Sequence, residues 1–352
     1  MRIILLLGPS SVGKTTLCKE LEKNYHWLVL SYDSFACNEV FKKLEAQGLV
    51  SYLCQYMDKI EVLQLCQMSR LTISKGKHLV NNHQFPDQTY PNIEEVLKTA
   101  GFNDSDIKIL SEKMRLAGNI FGTIVKNIDK FVDEIFSKLF DEVFNNKYNP
   151  ECTIILDVIP PFHNMNKMLA AFSHRVEQYR RKHGESSLAA YTVLAYCQPQ
   201  DLSNRIMKRN EHADHNNKPM SRREGLFPFS QLGKLLTNRD ERSPIQFTLG
   251  YVSKSDLLKI AYKHNSIHSK NSAPIKGKVI FKAAANSVLE YIRLSKQFGI
   301  WKTPQDQNSL TVNKNLKFDI IINTAVGDAG FLSIKLIEAI NNKRSNLILS
   351  NL

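Results

Sequence analysis

The chain opens on an unbroken apolar run, "RIILLL", that stops at a glycine. A short run of this kind, bounded by a turn residue, predicts a strand covered on both faces. Four later runs read the same way: "WLVLSYDSF", "CTIILDVIPP", "YTVLAYC" and "KFDIIINT". Between and after them the apolar spacing changes to that of helices. These are expected through "KTTLCKELEKN", over about 165–182, in the proline-started "PQDLSNRIMKRN", and in "DAGFLSIKLIEAI". Five short apolar strands alternating with helices predict an α/β fold, a parallel sheet with helices on both faces. Its first two strands and the helix between them form a right-handed βαβ unit.

Two long stretches interrupt this alternation. From about 36 to 147 the pattern is helical, most clearly in "IFGTIVKNIDKFVDEIFSKLFDEVF". There Phe121, Ile124, Ile128, Phe131, Ile135, Leu139 and Phe140 recur every three or four positions, a helix packed on its neighbours. "GKHLVNNHQFPDQTYPN" reads as a loop, 210–225 as polar and basic loop, and 228–297 as mostly helical with breaks. The expected organisation is a core of 1–35, 151–210 and 317–352, a helical insertion at 36–150, and a basic, mostly helical lid or insertion at 211–316. Both insertions would sit above the sheet's carboxyl edge, where open α/β folds bind ligands.

Composition adds little until charge is considered. A 352-residue chain that is 43% hydrophobic and 23% charged is ordinary for a globular protein. The formal net charge of +13 is uneven, with twelve Lys or Arg against three Asp or Glu in 251–317. That balance suits nucleotide, nucleic acid or another acidic partner. The simpler reading is a solvated lysine-rich face, because stacking aromatics are not interleaved with the lysines. Six cysteines (18, 37, 54, 66, 152, 197) without a C-x-x-C pair read as free thiols of a reducing compartment. The five-residue apolar run near the N-terminus is too short for a secretory signal, and no run suits a membrane span. A soluble, cytoplasmic protein is expected; a specialised secretion route would leave no recognisable mark.

The segment after the first strand carries the sharpest chemical signal. "GPSSVGKT" fills G-x-x-x-x-G-K-[ST] with Gly8, Gly13, Lys14 and Thr15. Successive backbone N–H groups of Gly8, Pro9, Ser10, Ser11, Val12, Gly13, Lys14, Thr15 and Thr16 (proline excepted) would cradle phosphate, aided by the following helix dipole. Lys14 would reach the β- and γ-phosphates of ATP, and Thr15 would ligate Mg²⁺. "TNRD" and "INNK" do not satisfy the guanine motif N-K-x-D, and no L-S-G-G-Q stretch points to a transporter ATPase. Kinase-like classes remain. Asp33, at the end of the second strand, is expected to accept the acceptor hydroxyl's proton; the plainer alternative is a helix cap near Phe35. Ser34 would serve as the cap or as a hydrogen bond to substrate. Asp157, closing "TIILD", is the candidate second Mg²⁺ ligand. Arg205 and Arg209, four apart on one helix face, would hold the transferring phosphoryl group. Lys208, Arg222 and Arg223 extend that basic region, and His212, His215, His78 and His83 lack the partners of a metal site.

"LLGPSSVGKTTLCKEL", "WLVLSYDSF", "IILDVIPP", "VLAYCQPQDLSNRIMKRN" and "FDIIINTA" together resemble the chloramphenicol phosphotransferase-like family of P-loop kinases. The resemblance covers about a quarter of the chain, and only the glycine-rich loop is highly specific. It implies sheet order 2-3-1-4-5, ATP-dependent phosphorylation of a small-molecule hydroxyl, and Asp33 as base. The two insertions exceed what that compact family needs, so its antibiotic substrate is not implied. "YDSF" also resembles uridine-type nucleoside kinases, and the long helices after Asp33 resemble zeta-toxin-like kinases. The expected function is phosphoryl transfer from Mg·ATP to an unidentified hydroxyl-bearing acceptor. Adenine would lie between the Arg205 helix and "NTAVGDAG". Rival readings are a polynucleotide, RNA or nucleoside kinase using 251–317, a nucleotide-gated binding protein without turnover, and nucleotidyl transfer to protein.

Overall fold

The computed structural model of the chain describes residues 1–55, 98, 103–146, 148–158, 165–215, 317–342 and 347–349. The loop at 76–92, His78, His83, Cys66, Arg222, Arg223 and the basic segment up to residue 316 lie outside the described residues. In chain order the elements are β1 (Arg2–Leu7), α1 (Lys14–Tyr25), β2 (Leu28–Ser31), α2 (Tyr32–Glu45) and α3 (Val50–Leu53). There follow α4 (Asp104–Lys126), α5 (Ile128–Asn145), β3 (Thr153–Val158), α6 (Met165–His183) and β4 (Ala189–Tyr196). Then come α7 (Pro199–His215), β5 (Ile320–Asn323), α8 (Ala329–Asn341) and β6 (Leu347–Leu349).

The fold is α/β, with one parallel sheet in the order β2-β3-β1-β4-β5-β6. The first five strands follow the expected order 2-3-1-4-5. β6 was not anticipated, since "LIL" is too short to stand out beside the polar "NNKRSN". β1 is central: Arg2 pairs with Thr153 of β3 and with Ala189 of β4, and Leu7 with Val158 and Leu194. Ile3 to Leu7 are all fully buried. Successive strand residues point to opposite faces, so both faces of β1 are covered. Among the described residues, no helix is long and apolar enough to cross a membrane.

Around the sheet, α1 packs against α8, and α5 packs against α2 and α6. The long helix expected through 120–144 is two helices, broken at Asn127 (φ −116°, ψ 36°). The Asn127 amide Nδ2 donates to the Thr123 carbonyl at 3.0 Å, so a side chain closes α4 where the helix would otherwise continue. The apolar stripe is divided accordingly. Ile124, Phe131 and Ile135 join a helical core with Val40, Leu44, Ile107 and Leu110, while Leu139 and Phe140 join the main core under the sheet. Glu39 of α2 is buried beside this junction and accepts from Lys42 (2.7 Å) and Lys138. Burial pushes its carboxyl up, but the two lysine bonds outweigh burial and hold it below the usual range.

Two further boundaries differ from expectation. α7 runs on to His215, so residues 210–215, expected as loop, are helical. α2 starts at Tyr32, directly after β2, with Ser31 at the cap position. Neither Asp33 nor Ser34 is therefore the cap: both lie in the first turn of α2. The described cysteines 18, 37, 54, 152 and 197 are free thiols, and burial pushes Cys18 and Cys197 well up, Cys197 to about 12.

Candidate functional site

The loop from Gly8 to Gly13 leaves the carboxyl end of the central strand and enters α1. Its first residue is fixed by crowding. A Cβ on Gly8 would stand 2.5 Å from the Ala195 carbonyl oxygen of β4, a contact real Cβ atoms do not make. The loop then turns through two left-handed positions, Ser11 at φ +66° and Gly13 at φ +105°. Turns of this kind can aim successive backbone N–H groups into one concavity, while the Val12 N–H closes the loop on the Pro9 carbonyl at 3.4 Å. The N-terminus of α1 has no capping side chain and no acidic residue in its first turn. The positive dipole end of a helix that starts in this way suits an anion. Ser11 Oγ is enclosed and has no hydrogen-bond partner among the described residues, a further polar group suited to an anionic guest.

Lys14, the first residue of α1, lies across this loop. Its ammonium donates to the carbonyl of Gly8 at 2.7 Å and of Pro9 at 3.3 Å, and stands 3.8 Å from Asp157 Oδ1. Asp157 is the penultimate residue of β3, next to Leu6 of β1 on one side and Ser31 of β2 on the other. Burial pushes its carboxyl up, Lys14 draws it down, and the charge of Asp33 pushes it up again; the net direction is upward.

These groups share an open cleft of about 520 Å³. It is lined by the loop with Lys14, Thr15 and Thr16, by Ser31, Asp33 and Asp157, and by Arg205 and Arg209 of α7. Thr324, Gly327, Asp328, Ala329 and Leu332 close the end beyond α7, the segment expected to face adenine. Asp33 is exposed in the first turn of α2, where a helix dipole favours a carboxylate. The cleft thus gathers Lys14, Thr15, Asp33, Asp157, Arg205 and Arg209 from four separate stretches of sequence. Ser34 is exposed outside it, and Lys208 and His212 are exposed on α7. Among the described residues no three of His, Cys, Asp or Glu gather as a metal site. A cation held here by Thr15 and Asp157 would take its remaining oxygens from what it accompanies.

Arg205 is tied more closely to the protein than its sequence position indicates. Its Nη1 donates to the Val12 carbonyl and to Thr324 Oγ1 (2.8 Å), and its Nη2 donates to the Thr324 carbonyl (2.5 Å). Thr324 Oγ1 lies 2.7 Å from the Val12 carbonyl and 3.1 Å from that of Tyr196, and its N–H donates to Tyr196 at 2.8 Å. One buried threonine at the end of β5 therefore joins β4, α7 and the glycine-rich loop. Sequence reading missed Thr324. Only its place directly after an apolar strand, beside the loop-bearing edge, offered a signal. Set against protein-family models and curated proteins, the chain matches none.

Proposed function

We propose that this chain is a P-loop kinase that moves the γ-phosphoryl group of Mg·ATP to a hydroxyl of a small acceptor. One observation carries the reading. A glycine-rich loop with its lysine, a strand-end aspartate and a second, exposed aspartate all face the same cleft. The first two hold a nucleotide's phosphates and cation in this type of loop. The third is not the helix cap and lines the cleft from the first turn of α2, which supports a role toward an acceptor.

Bound Mg·ATP supplies the transferable phosphoryl group and the cation that neutralises it. The loop amides and Lys14 bind and orient the phosphates, Thr15 and Asp157 are the residues to hold Mg²⁺, and Arg209 adds positive charge from α7. Arg205 acts chiefly through the loop it braces. Asp33 takes the proton of the acceptor hydroxyl as the acceptor oxygen bonds to the γ-phosphorus and the bridging P–O bond to the departing ADP breaks. A positioned carboxylate of this kind is worth about 10²–10⁴ in rate.

The test is transfer of label from γ-labelled Mg·ATP into fractionated cell extract, with wild type beside Lys14→Ala and Asp33→Asn. Label entering one fraction with wild type, and reduced by about 10²-fold or more in both variants, supports the kinase and names the acceptor class. If all three bind nucleotide alike and label nothing, the reading fails in favour of a nucleotide-gated binding protein.

A further inference from the structure

α2 carries Asp33 to the cleft, yet its own start does little to fix how it lies. The helix begins on the residue after β2, and Ser31 at the cap position makes no side-chain capping bond. Asp33 is exposed in the first turn, so its aim follows from the set of the whole helix. That set comes from α5, at two points. The Tyr32 ring, next to Asp33, packs on Phe136 with centroids 4.8 Å apart. Further along, Glu39 accepts from Lys138 of α5 through Oε2 and from Lys42 through Oε1 at 2.7 Å, and Lys138 also donates to Glu134 at 3.0 Å. α5 is a firm support: Leu139 and Phe140, which follow Lys138, are buried in the main core, and Asp141 bonds Arg175 of α6 at 2.7 Å.

Among the described residues only Lys14 and Glu39 are buried charged groups, and Lys14 belongs to the cleft. A carboxylate paired with partly exposed lysines adds little net stability, and apolar side chains of similar size often serve as well. What such a pair can add is a defined register, which a smooth apolar contact lacks. Six residues separate Asp33 from Glu39, about 120° round the helix and about 9 Å along it. A bond on the α5 side therefore limits rotation on the cleft side. A turn of about 15° would move a side-chain end about 6 Å from the axis by about 1.5 Å. A misplacement of about 1 Å costs up to about 10²-fold in rate.

We infer that Glu39, through its ion pair with Lys138, is a positioning residue that sets the rotation of α2 and so aims Asp33 at the acceptor. This rests on the reading of Asp33 as the base and gives the buried pair a part in phosphoryl transfer.

The experiment compares the full chain with Glu39→Met/Lys138→Met, Lys138→Arg, Asp33→Asn, and the methionine pair combined with Asp33→Asn. Transfer is measured from saturating γ-labelled Mg·ATP into the extract fraction that wild type labels, and Mg·ATP binding by calorimetry. Melting curves fix a temperature at which every variant is folded. The methionine pair should transfer about 10–100-fold more slowly while binding Mg·ATP within about twofold of wild type. Lys138→Arg keeps a donor to Glu39 and should retain most of the rate. Added to Asp33→Asn, the methionine pair should slow the residual rate no further, because two groups acting as a unit are not additive. Should the methionine pair not fold, Lys138→Gln, which leaves Glu39 its bond to Lys42, makes the same comparison. Transfer by the pair variant within about threefold of wild type overturns the inference and leaves the kinase reading standing. Slowing that persists in full beside Asp33→Asn, or Mg·ATP binding that falls in step, also overturns it, because the pair would then serve the fold as a whole. If wild type and Asp33→Asn label alike, the reading of Asp33 fails and the inference with it.

Discussion

Gly8→Ala tests how firmly the glycine-rich loop is fused to the sheet. The added carbon would lie 2.5 Å from the Ala195 carbonyl oxygen, 3.1 Å from Val12 Cγ1 and 3.3 Å from the Ala195 carbonyl carbon. Carbon–oxygen contacts settle at about 3.3 Å or beyond, so roughly 0.8 Å must be found. The obstacle is backbone of the neighbouring strand, so no side chain can swing away. Parting β1 from β4 by that amount carries nearby ladder bonds from about 2.9 Å out of bonding range. Losing one or two at about 1 kcal/mol each, together with overpacking strain, gives a loss of roughly 2–4 kcal/mol. Gly48→Ala is the control. Gly48 has φ +66° but nothing within 4 Å of an added carbon, so only the backbone preference is lost, about 1 kcal/mol. Urea unfolding followed by circular dichroism compares the two at unchanged slope. A Gly8→Ala protein within about 0.5 kcal/mol of wild type, or a Gly48→Ala protein that loses as much, would refute the steric reasoning.

Thr324→Val removes the hydroxyl that joins Val12, Tyr196 and Arg205 and should cost about 1–3 kcal/mol, with Thr324→Ser restoring most of it. Equal melting temperatures for wild type and the valine variant would dismiss Thr324 as a brace. Asp157→Asn should raise the melting temperature measured without nucleotide at neutral pH while weakening Mg·ATP binding. The sign follows from a carboxyl whose folded value lies above its ordinary 3.8, mainly through burial. The stability it contributes is complete below that ordinary value and is lost as pH rises through the folded one, and asparagine avoids the loss. A variant that melts lower than wild type at neutral pH would contradict this assignment.

What could be read from the sequence depended on how local its cause was. β1, β3 and β5 were legible because strands covered on both faces must be continuously apolar, and "RIILLL", "TIILDV" and "IIIN" leave no helical alternative. The loop was legible because its glycines, Lys14 and Thr15 act within eight consecutive residues. The break at Asn127 was hidden, since Ile124, Ile128 and Phe131 keep helical spacing across it while a side-chain bond to Thr123 does the breaking. The start of α2 was misjudged by about three residues because "SYDSF" offers three candidates for the cap, and tertiary placement selects Ser31. The bracing role of Arg205 could not be seen at all. It depends on Thr324, more than a hundred residues away, and no pattern in either segment encodes that meeting.

The central position of β1 also bears on how the protein is made. Its two partners, β3 and β4, are synthesised about 150 and about 190 residues after it. At roughly 5–20 residues per second, the ribosome completes β4 some 10–40 seconds after releasing β1. Until β3 is made, a strand with five consecutive apolar residues, without proline or an internal charge, has neither of its sheet neighbours. Such a segment pairs readily with other chains when left uncovered. The stretch that leads into the glycine-rich loop is therefore a hazard of the nascent chain until the finished sheet covers it.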